Sequence, residues 1–247
     1  VTMAMTLVHT RYQLLRTVRI PIALIGSAFF PAASMIFFVV PAAGDDPAGA
    51  AYATASMVVF AAIISNLFGH GVGVAEDRAQ PWDPYTRTLP VGLLPTFAGR
   101  ILTGLVMMLL SMVPVVVIAA VFTEASVTVG GFLTALVVLV VATVPFMLMG
   151  LSIGYLLSTK AALAVVQIVF FPLAFAGGLL SAPDAAPGFV KAIAPYVPSR
   201  GAVELMWAAV GDFEVRPLPV VTLVVWTAAM GALAVFAYRR DEGRRYR

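Results

Sequence analysis

Residues 131–157, GFLTALVVLVVATVPFMLMGLSIGYLL, run for 27 positions without a charged side chain. A bilayer's hydrocarbon core is about 30 Å thick and a helix rises about 1.5 Å per residue, so roughly 20 apolar residues cross it. The run therefore reads as a membrane-crossing helix. Five more apolar runs, at 20–40, 52–73, 101–122, 161–181 and 218–237, are each long enough to do the same. The 247 residues are 61% hydrophobic and 11% charged, where a soluble domain is roughly half apolar and a quarter charged. The predicted fold is an all-α membrane protein of six transmembrane helices, a single domain over 1–247 with little left for a soluble part.

Charge sorts by side across these runs. Arg11, Arg16 and Arg19 precede the first, Arg78, Arg87 and Arg100 separate the second from the third, and Lys160 separates the fourth from the fifth. Arg239, Arg240, Arg244, Arg245 and Arg247 follow the sixth, which brings this side to 12 of the 15 basic residues. The opposite side carries Asp45, Asp46 and Glu124 in two loops and Lys191, Arg200 and Arg216 in the third. Basic residues accumulate in cytoplasmic loops, so both termini and residues 74–100 are expected inside. The first run is too long for a signal-peptide core, and five more follow it. Before it, Met3, Leu7, Leu14, Leu15 and Val18 share about a third of a helical wheel, intruded on by Arg11. Two readings fit: an interfacial helix on the inner leaflet, or a basic topogenic flank. Thirteen arginines against two lysines, with abundant Ala, Val and Gly, suit a GC-rich bacterial genome, hence a bacterial plasma membrane.

The runs are bare of reactive chemistry. A chain without cysteine has no disulfide, thiol nucleophile or thiolate metal site, and two histidines, His9 and His70, are too few and too far apart for a His-based metal site. Ion-coupled carriers place ionisable groups at mid-membrane. Here the interior polar groups are chiefly Asn66, His70, Gln167 and scattered Ser and Thr, and His70, near an inner end, is expected to be a wet imidazole. No HExxH, clustered aspartates or GxxxxGK[ST] loop occurs, so no catalytic residue, metal or nucleotide is assigned to the chain. Energy, if used, comes from a partner. Gly69/Gly73 and Gly150/Gly154 have GxxxG spacing, either packing seams or chance matches among 20 glycines. Pro31, Pro114, Pro145 and Pro172 are expected to kink their helices.

Between the second and third runs lies VAEDRAQPWDPYTRTLPVGLLPTFAGR, residues 74–100, too polar to span. Pro81, Pro84, Pro90 and Pro95 limit any helix there to short pieces. An acidic stretch leading to a Leu-Pro step and the next span resembles the cytoplasmic loop of type-2 ABC transporter permeases. A second stretch, FFPLAFAGGLLSAPDAAPGFVKAIAPYVPSRGAVELMW at 170–207, is similar to that family's late signature: a Pro-Leu in span 5, a small-Gly pair, a proline-bounded outer loop and an amphipathic segment. Pro81-Trp82-Asp83-Pro84 stands where the family often has Gly-Thr. The resemblance implies that Glu76, Asp77 and Arg78 with the 86–89 turn (Thr86, Arg87, Thr88, Leu89) lie at or near a contact with a separate ATPase. Arg11 and Arg16 would lie beside it on the family's N-terminal interfacial helix. A plain cap joining spans 2 and 3 is the other reading.

Residues 182–216 form the longest outer loop. Phe189, Ile193, Val197, Val203, Leu205, Met206, Trp207 and Val210 give apolar surface, while Lys191, Arg200, Glu204 and Asp212 are expected to need water. Short helices re-entering the outer leaflet fit, as does an interfacial loop anchored by Tyr196 and Trp207. The resemblance implies an ABC exporter: two permeases, identical or homologous, with two ATPase subunits that hold the ATP and Mg, and no nucleic acid. Its cargo path would lie between permeases, lined from spans 1, 2 and 5. Phe29, Met35, Phe37, Phe38, Asn66, Phe170, Phe171 and Phe175 are the lining candidates, because aromatic and Met surfaces adapt to apolar cargo. An amphiphilic drug, antibiotic or lipid is expected, with polysaccharide or lipid-linked cargo as an alternative within the family. The alternative from another class is a six-span enzyme or scaffold with unrecognised chemistry.

Overall fold

The structure, a computed structural model, describes residues 8, 10–12, 14–15, 21–81, 93–181 and 186–243, and the side chains of all of these but 21–27, 93–97 and 242–243. Among the described residues every regular element is helical. Helix α1 (21–43) is α-helical over Pro21–Ser34, widens to a π-helix at Met35–Val39 and closes with Val40–Ala43. Helix α2 (Pro47–Arg78) starts at Asp46, whose Oδ1 accepts the Ala48 N–H at 3.2 Å, with Pro47 in its first turn, where its missing N–H leaves no gap. It contains a second π segment, Leu67–Val72. Helix α3 (Leu93–Phe122) carries Pro95 near its start, and α4 (Val129–Leu156) is capped by Thr128, whose Oγ1 accepts the Gly131 N–H at 3.0 Å. Helix α5 is Thr159–Ala176, α6 is Gly188–Ile193 followed by a 3-10 turn at Ala194–Tyr196, α7 is Pro198–Val210 and α8 is Pro217–Gly243.

Among the described residues five helices are long and apolar enough to cross a membrane: Pro47–Arg78, Ala98–Phe122, Val129–Leu156, Thr159–Ala176 and Pro217–Asp241. The expected first span is represented by a shorter apolar helix, Ala28–Ala43. Several boundaries depart from the hydropathy reading. Helix α2 does not stop at Gly73 but carries Glu76, Asp77 and Arg78 on its last turn, and α3 begins upstream of residue 100. Both ends of the 74–100 stretch are therefore helix, and Arg100 sits on α3 instead of a loop. Pro95 permits this because the N–H groups of a helix's first turn have no intrahelical acceptor.

Helix α5 ends at Ala176, before the expected 181. Gly178, at φ +74°, turns the chain in the left-handed region open to glycine. Its N–H bonds the Phe175 carbonyl at 3.0 Å and that of Leu179 bonds the Ala174 carbonyl at 3.2 Å, the paired bonds of a Schellman cap. Of the four span prolines, Pro145 accompanies a break, at Thr143, which divides α4 into Val129–Ala142 and Val144–Leu156. The helices carry on through Pro31, Pro114 and Pro172.

Helix α2 is the axis of the bundle. Every residue from Ala55 to Leu67 is buried, as expected of a helix apolar all round. Lipid tails are as apolar as leucine, so helices in a membrane gain from close fit more than from escaping water. Of the four GxxxG glycines, Gly69 and Gly73 face open space, whereas a methyl on Gly150 or Gly154 would strike the α2 backbone around Asn66, His70 and Gly71. The seam joins Gly150 and Gly154 of α4 to Gly71 of α2, the glycine midway between Gly69 and Gly73. His70 is not wet: it is buried, and its ring lies against Gly104 of α3.

Gly154→Val is expected to destabilise the purified protein by about 1–3 kcal/mol through overpacking, while Gly69→Ala and Gly73→Ala stay near wild type. Thermal unfolding in detergent reads the difference; equal loss at Gly69 and Gly154 would contradict the seam.

Candidate functional site

The last turn of α2 sends its three charges to different places. Glu76 is exposed. Asp77 accepts from Nη2 of Arg100, at the start of α3, at 3.1 Å. Arg78 turns inward, where Nε and Nη2 donate to Oδ1 of Asp241 at 3.0 and 2.5 Å and Nη1 donates to the carbonyls of Gly154 and Leu157 at 2.8 and 3.1 Å. Those carbonyls belong to the end of α4, where no further helical N–H reaches them. A cation there also opposes the negative end of the α4 dipole. One guanidinium thus ties together the ends of α2, α4 and α8.

Arg11 is exposed on a helical stretch before α1. Arg16, Thr86, Arg87, Thr88 and Leu89 lie outside the described residues. The candidate coupling residues that are described thus comprise two outward groups, Glu76 and Arg11, and two engaged ones, Asp77 and Arg78. Asp241 and Arg100, which complete the cluster, were not among the sequence candidates. Their signal was a charge within a turn of an apolar run's end.

The path candidates divide likewise. Phe29, Phe37, Phe38, Phe171 and Phe175 are exposed on the chain's surface, with Phe37 and Phe38 at 72% and 71%. Phe29 meets Phe30 edge-on at 5.8 Å, and Phe171 stacks on Phe175 at 6.3 Å between ring centroids. Met35, Asn66 and Phe170 are instead in the core. Asn66 donates from Nδ2 to the Ala62 carbonyl at 2.9 Å and reaches the Met108 sulfur at 3.3 Å, and the Phe170 ring packs on Phe60 at 5.1 Å.

A second polar node, at the far end of the bundle, corrects the expectation that Arg200 and Glu204 need water. Glu204 is 0% exposed, and its Oε1 accepts from Nε of Arg200 at 2.6 Å and from Nη2 of Arg216 at 2.5 Å. Its Oε2 accepts the backbone N–H of Arg216 at 3.2 Å. The Arg200 guanidinium lies over the Trp207 ring, 4.9 Å from its centroid. Trp207 Nε1 in turn donates to the Tyr52 carbonyl and to Ser56 Oγ, both at 3.0 Å. Helix α7 is thereby built into the bundle against α2, α4 and α8. Arg200 and Glu204 stand four apart on one helix face, a spacing that permits pairing away from solvent. Lys191 and Asp212 are exposed, as expected. Among the described residues no three acidic or histidine side chains gather as they would around a metal ion.

Arg78→Ala is expected to cost about 2–3 kcal/mol, since it strands a carboxylate and two carbonyls, whereas exposed Glu76→Ala should stay within about 0.5 kcal/mol. Denaturation of the two variants side by side checks this; equal midpoints would dissolve the clamp. Glu204→Ala leaves Arg200 buried and uncompensated, a loss of about 3–5 kcal/mol. The measurement is proteolytic resistance of the 186–216 segment, which should fall in that variant and hold in Lys191→Ala.

A family model described as ABC-2 type transporter matches residues 6–210. No curated protein and no solved structure matches the chain.

Proposed function

The chain belongs to the ABC-2 type transporter family, and from that membership we propose that it is the permease subunit of an ATP-driven exporter in a bacterial plasma membrane. It forms one transmembrane domain of six spans, α1 to α5 and α8, with both termini and the Arg78 end of the bundle in the cytoplasm. An N-terminal interfacial helix lies on the inner leaflet, and α6 and α7 re-enter from outside. Two permeases, identical or homologous, pair with two separate ATPase subunits that hold ATP and Mg. The cargo is an amphiphilic drug, antibiotic or lipid, because the spans offer few polar groups to replace the hydration of a sugar or ion.

One observation supports this reading most directly. Helix α2 passes unbroken from the exposed Glu76 into the fully buried centre of the bundle, and Arg78 fastens its end to α4 and α8. A push on that end moves three spans together, as a lever between two packings requires. An ATPase shifts the equilibrium by the difference in its binding to the two states, so its contact must be exposed and stiffly linked to the core. Glu76 and Arg11 meet the first condition, with Arg16 and residues 86–89 completing the contact; Asp77 and Arg78 meet the second. The exposed phenylalanines of α1 and α5 supply the face on which the second permease and the cargo meet.

Because Arg78 is engaged within the chain, the informative substitution is Glu76→Lys. The purified chain is expected to co-isolate with an ATPase subunit. Glu76→Lys should weaken that association by roughly tenfold, about 1.4 kcal/mol, with the thermal midpoint unchanged. A chain that transports without an ATPase companion, or a folded Glu76→Lys variant of undiminished coupling, would overturn the proposal.

A further inference from the structure

At the end of the bundle remote from Arg78, a cavity of about 190 Å³ lies between α2, α3, the first half of α4 and α7. Its floor is made by small or apolar buried side chains: Ala51 and Ala55 of α2, Ala119 of α3, Ala135 of α4 and Met206 of α7. The hollow exists because alanines stand where larger residues would meet. Among the described residues the one polar side chain in its wall, Thr54, already donates its hydroxyl to the Ala50 carbonyl at 2.7 Å. The wall is thus overwhelmingly apolar and offers little to water, which needs two to four polar partners; apolar cavities of roughly 150 Å³ stay dry and take hydrocarbon guests.

The cavity is not sealed. Ala120 and Phe132, in its wall on α3 and α4, are exposed, Phe132 at 43%. Around them Val117, Val121, Leu133 and Val137 are exposed too. The mouth therefore continues the apolar surface of two helices that are long and apolar enough to cross a membrane, and on one side it meets the 123–128 loop, where Glu124, Ser126 and Thr128 are exposed. Among the described residues none of its walls comes from α1 or α5, which sets it apart from the aromatic faces assigned to cargo and to the second permease.

We propose that this cavity is a lipid site that takes the acyl chain of one bilayer phospholipid, entering sideways between α3 and α4. In a bilayer the mouth opens onto hydrocarbon, the interior is almost wholly apolar, and the volume suits the terminal part of a single chain and no headgroup. The leaflet concerned is the one beside the 123–128 loop, whose Val127 shares the wall. That is the outer leaflet in the orientation proposed above. The site itself requires only that the chain be embedded in a bilayer, so it stands or falls apart from any ATPase.

The test uses the full chain reconstituted in vesicles that contain a phosphatidylcholine with a diazirine at the end of one acyl chain. After illumination, adducts are mapped by mass spectrometry. Ala119, Phe132 and Ala135 are expected to carry adducts at about five times the yield of Val224 and Val225 on the exposed face of α8, the enrichment that roughly 1 kcal/mol of preference gives. Ala135→Phe, which fills the floor, should lower that yield to the α8 level and leave α8 labelling unchanged. Ala120→Phe, at the exposed mouth, should do the same without burdening the core if the first variant does not fold. Equal labelling of the cavity and α8 in the wild-type protein would overturn the proposal. So would enrichment that persists in a folded filling variant, or its appearance only with a diazirine placed in the choline headgroup.

Discussion

A guanidinium at the end of a buried helix holds this structure in register. Helices in hydrocarbon bond their own backbones but cannot satisfy their ends, so each terminus must find water or a side chain. Arg78 answers for two elements at once: it caps the last carbonyls of α4 and pairs with Asp241 of α8 while riding on α2. Asp77 and Arg100 add α3 to the same end. Four helices are thus joined by charge at the Arg78 end of the bundle.

Between its two polar ends the bundle relies on fit. The Gly71, Gly150 and Gly154 seam brings α2 and α4 into backbone contact, and the π segment of α2 lies in the same stretch, with His70 directed at Gly104. At the opposite end Glu204 gathers Arg200 and Arg216, and Trp207 locks α7 onto α2. Two ionic nodes separated by an apolar interior suit a body that changes packing without exposing charge to lipid. Helix α2 spans the distance between them, from Tyr52, whose carbonyl receives Trp207, to Arg78. The proposed lever needs no conducting pathway of side chains, only an element stiff enough to move as one.

Hydropathy made the long helices legible, because a charge-free run such as 131–157 has no other stable use in so apolar a chain. Helix ends were not legible in the same way. Glycines, acids and prolines at 73–95 read as loop signals, yet Gly73 faces open space within a helix and Pro95 occupies a first turn where proline is tolerated. Pairing across the bundle was also hidden: the distance in sequence from Arg78 to Asp241 gives no hint that they touch. The 200/204 spacing offered a local hint, but a reading in which every charge seeks water passed over it. Of the path candidates, exposure separates Phe29, Phe37, Phe38, Phe171 and Phe175 from the buried Met35, Asn66 and Phe170, a distinction composition does not contain. The family, by contrast, was legible from the order of degenerate motifs along the chain.

In the proposed orientation the Arg78 end of the bundle faces the cytoplasm, where an ATPase can reach Glu76. The chain has no cysteine, so single cysteines at Glu76 and Glu124 report sidedness without background. In intact cells a membrane-impermeant maleimide is predicted to label Glu124→Cys at once and Glu76→Cys only after permeabilisation. Labelling of Glu76→Cys in intact cells, with Glu124→Cys protected, would contradict the account.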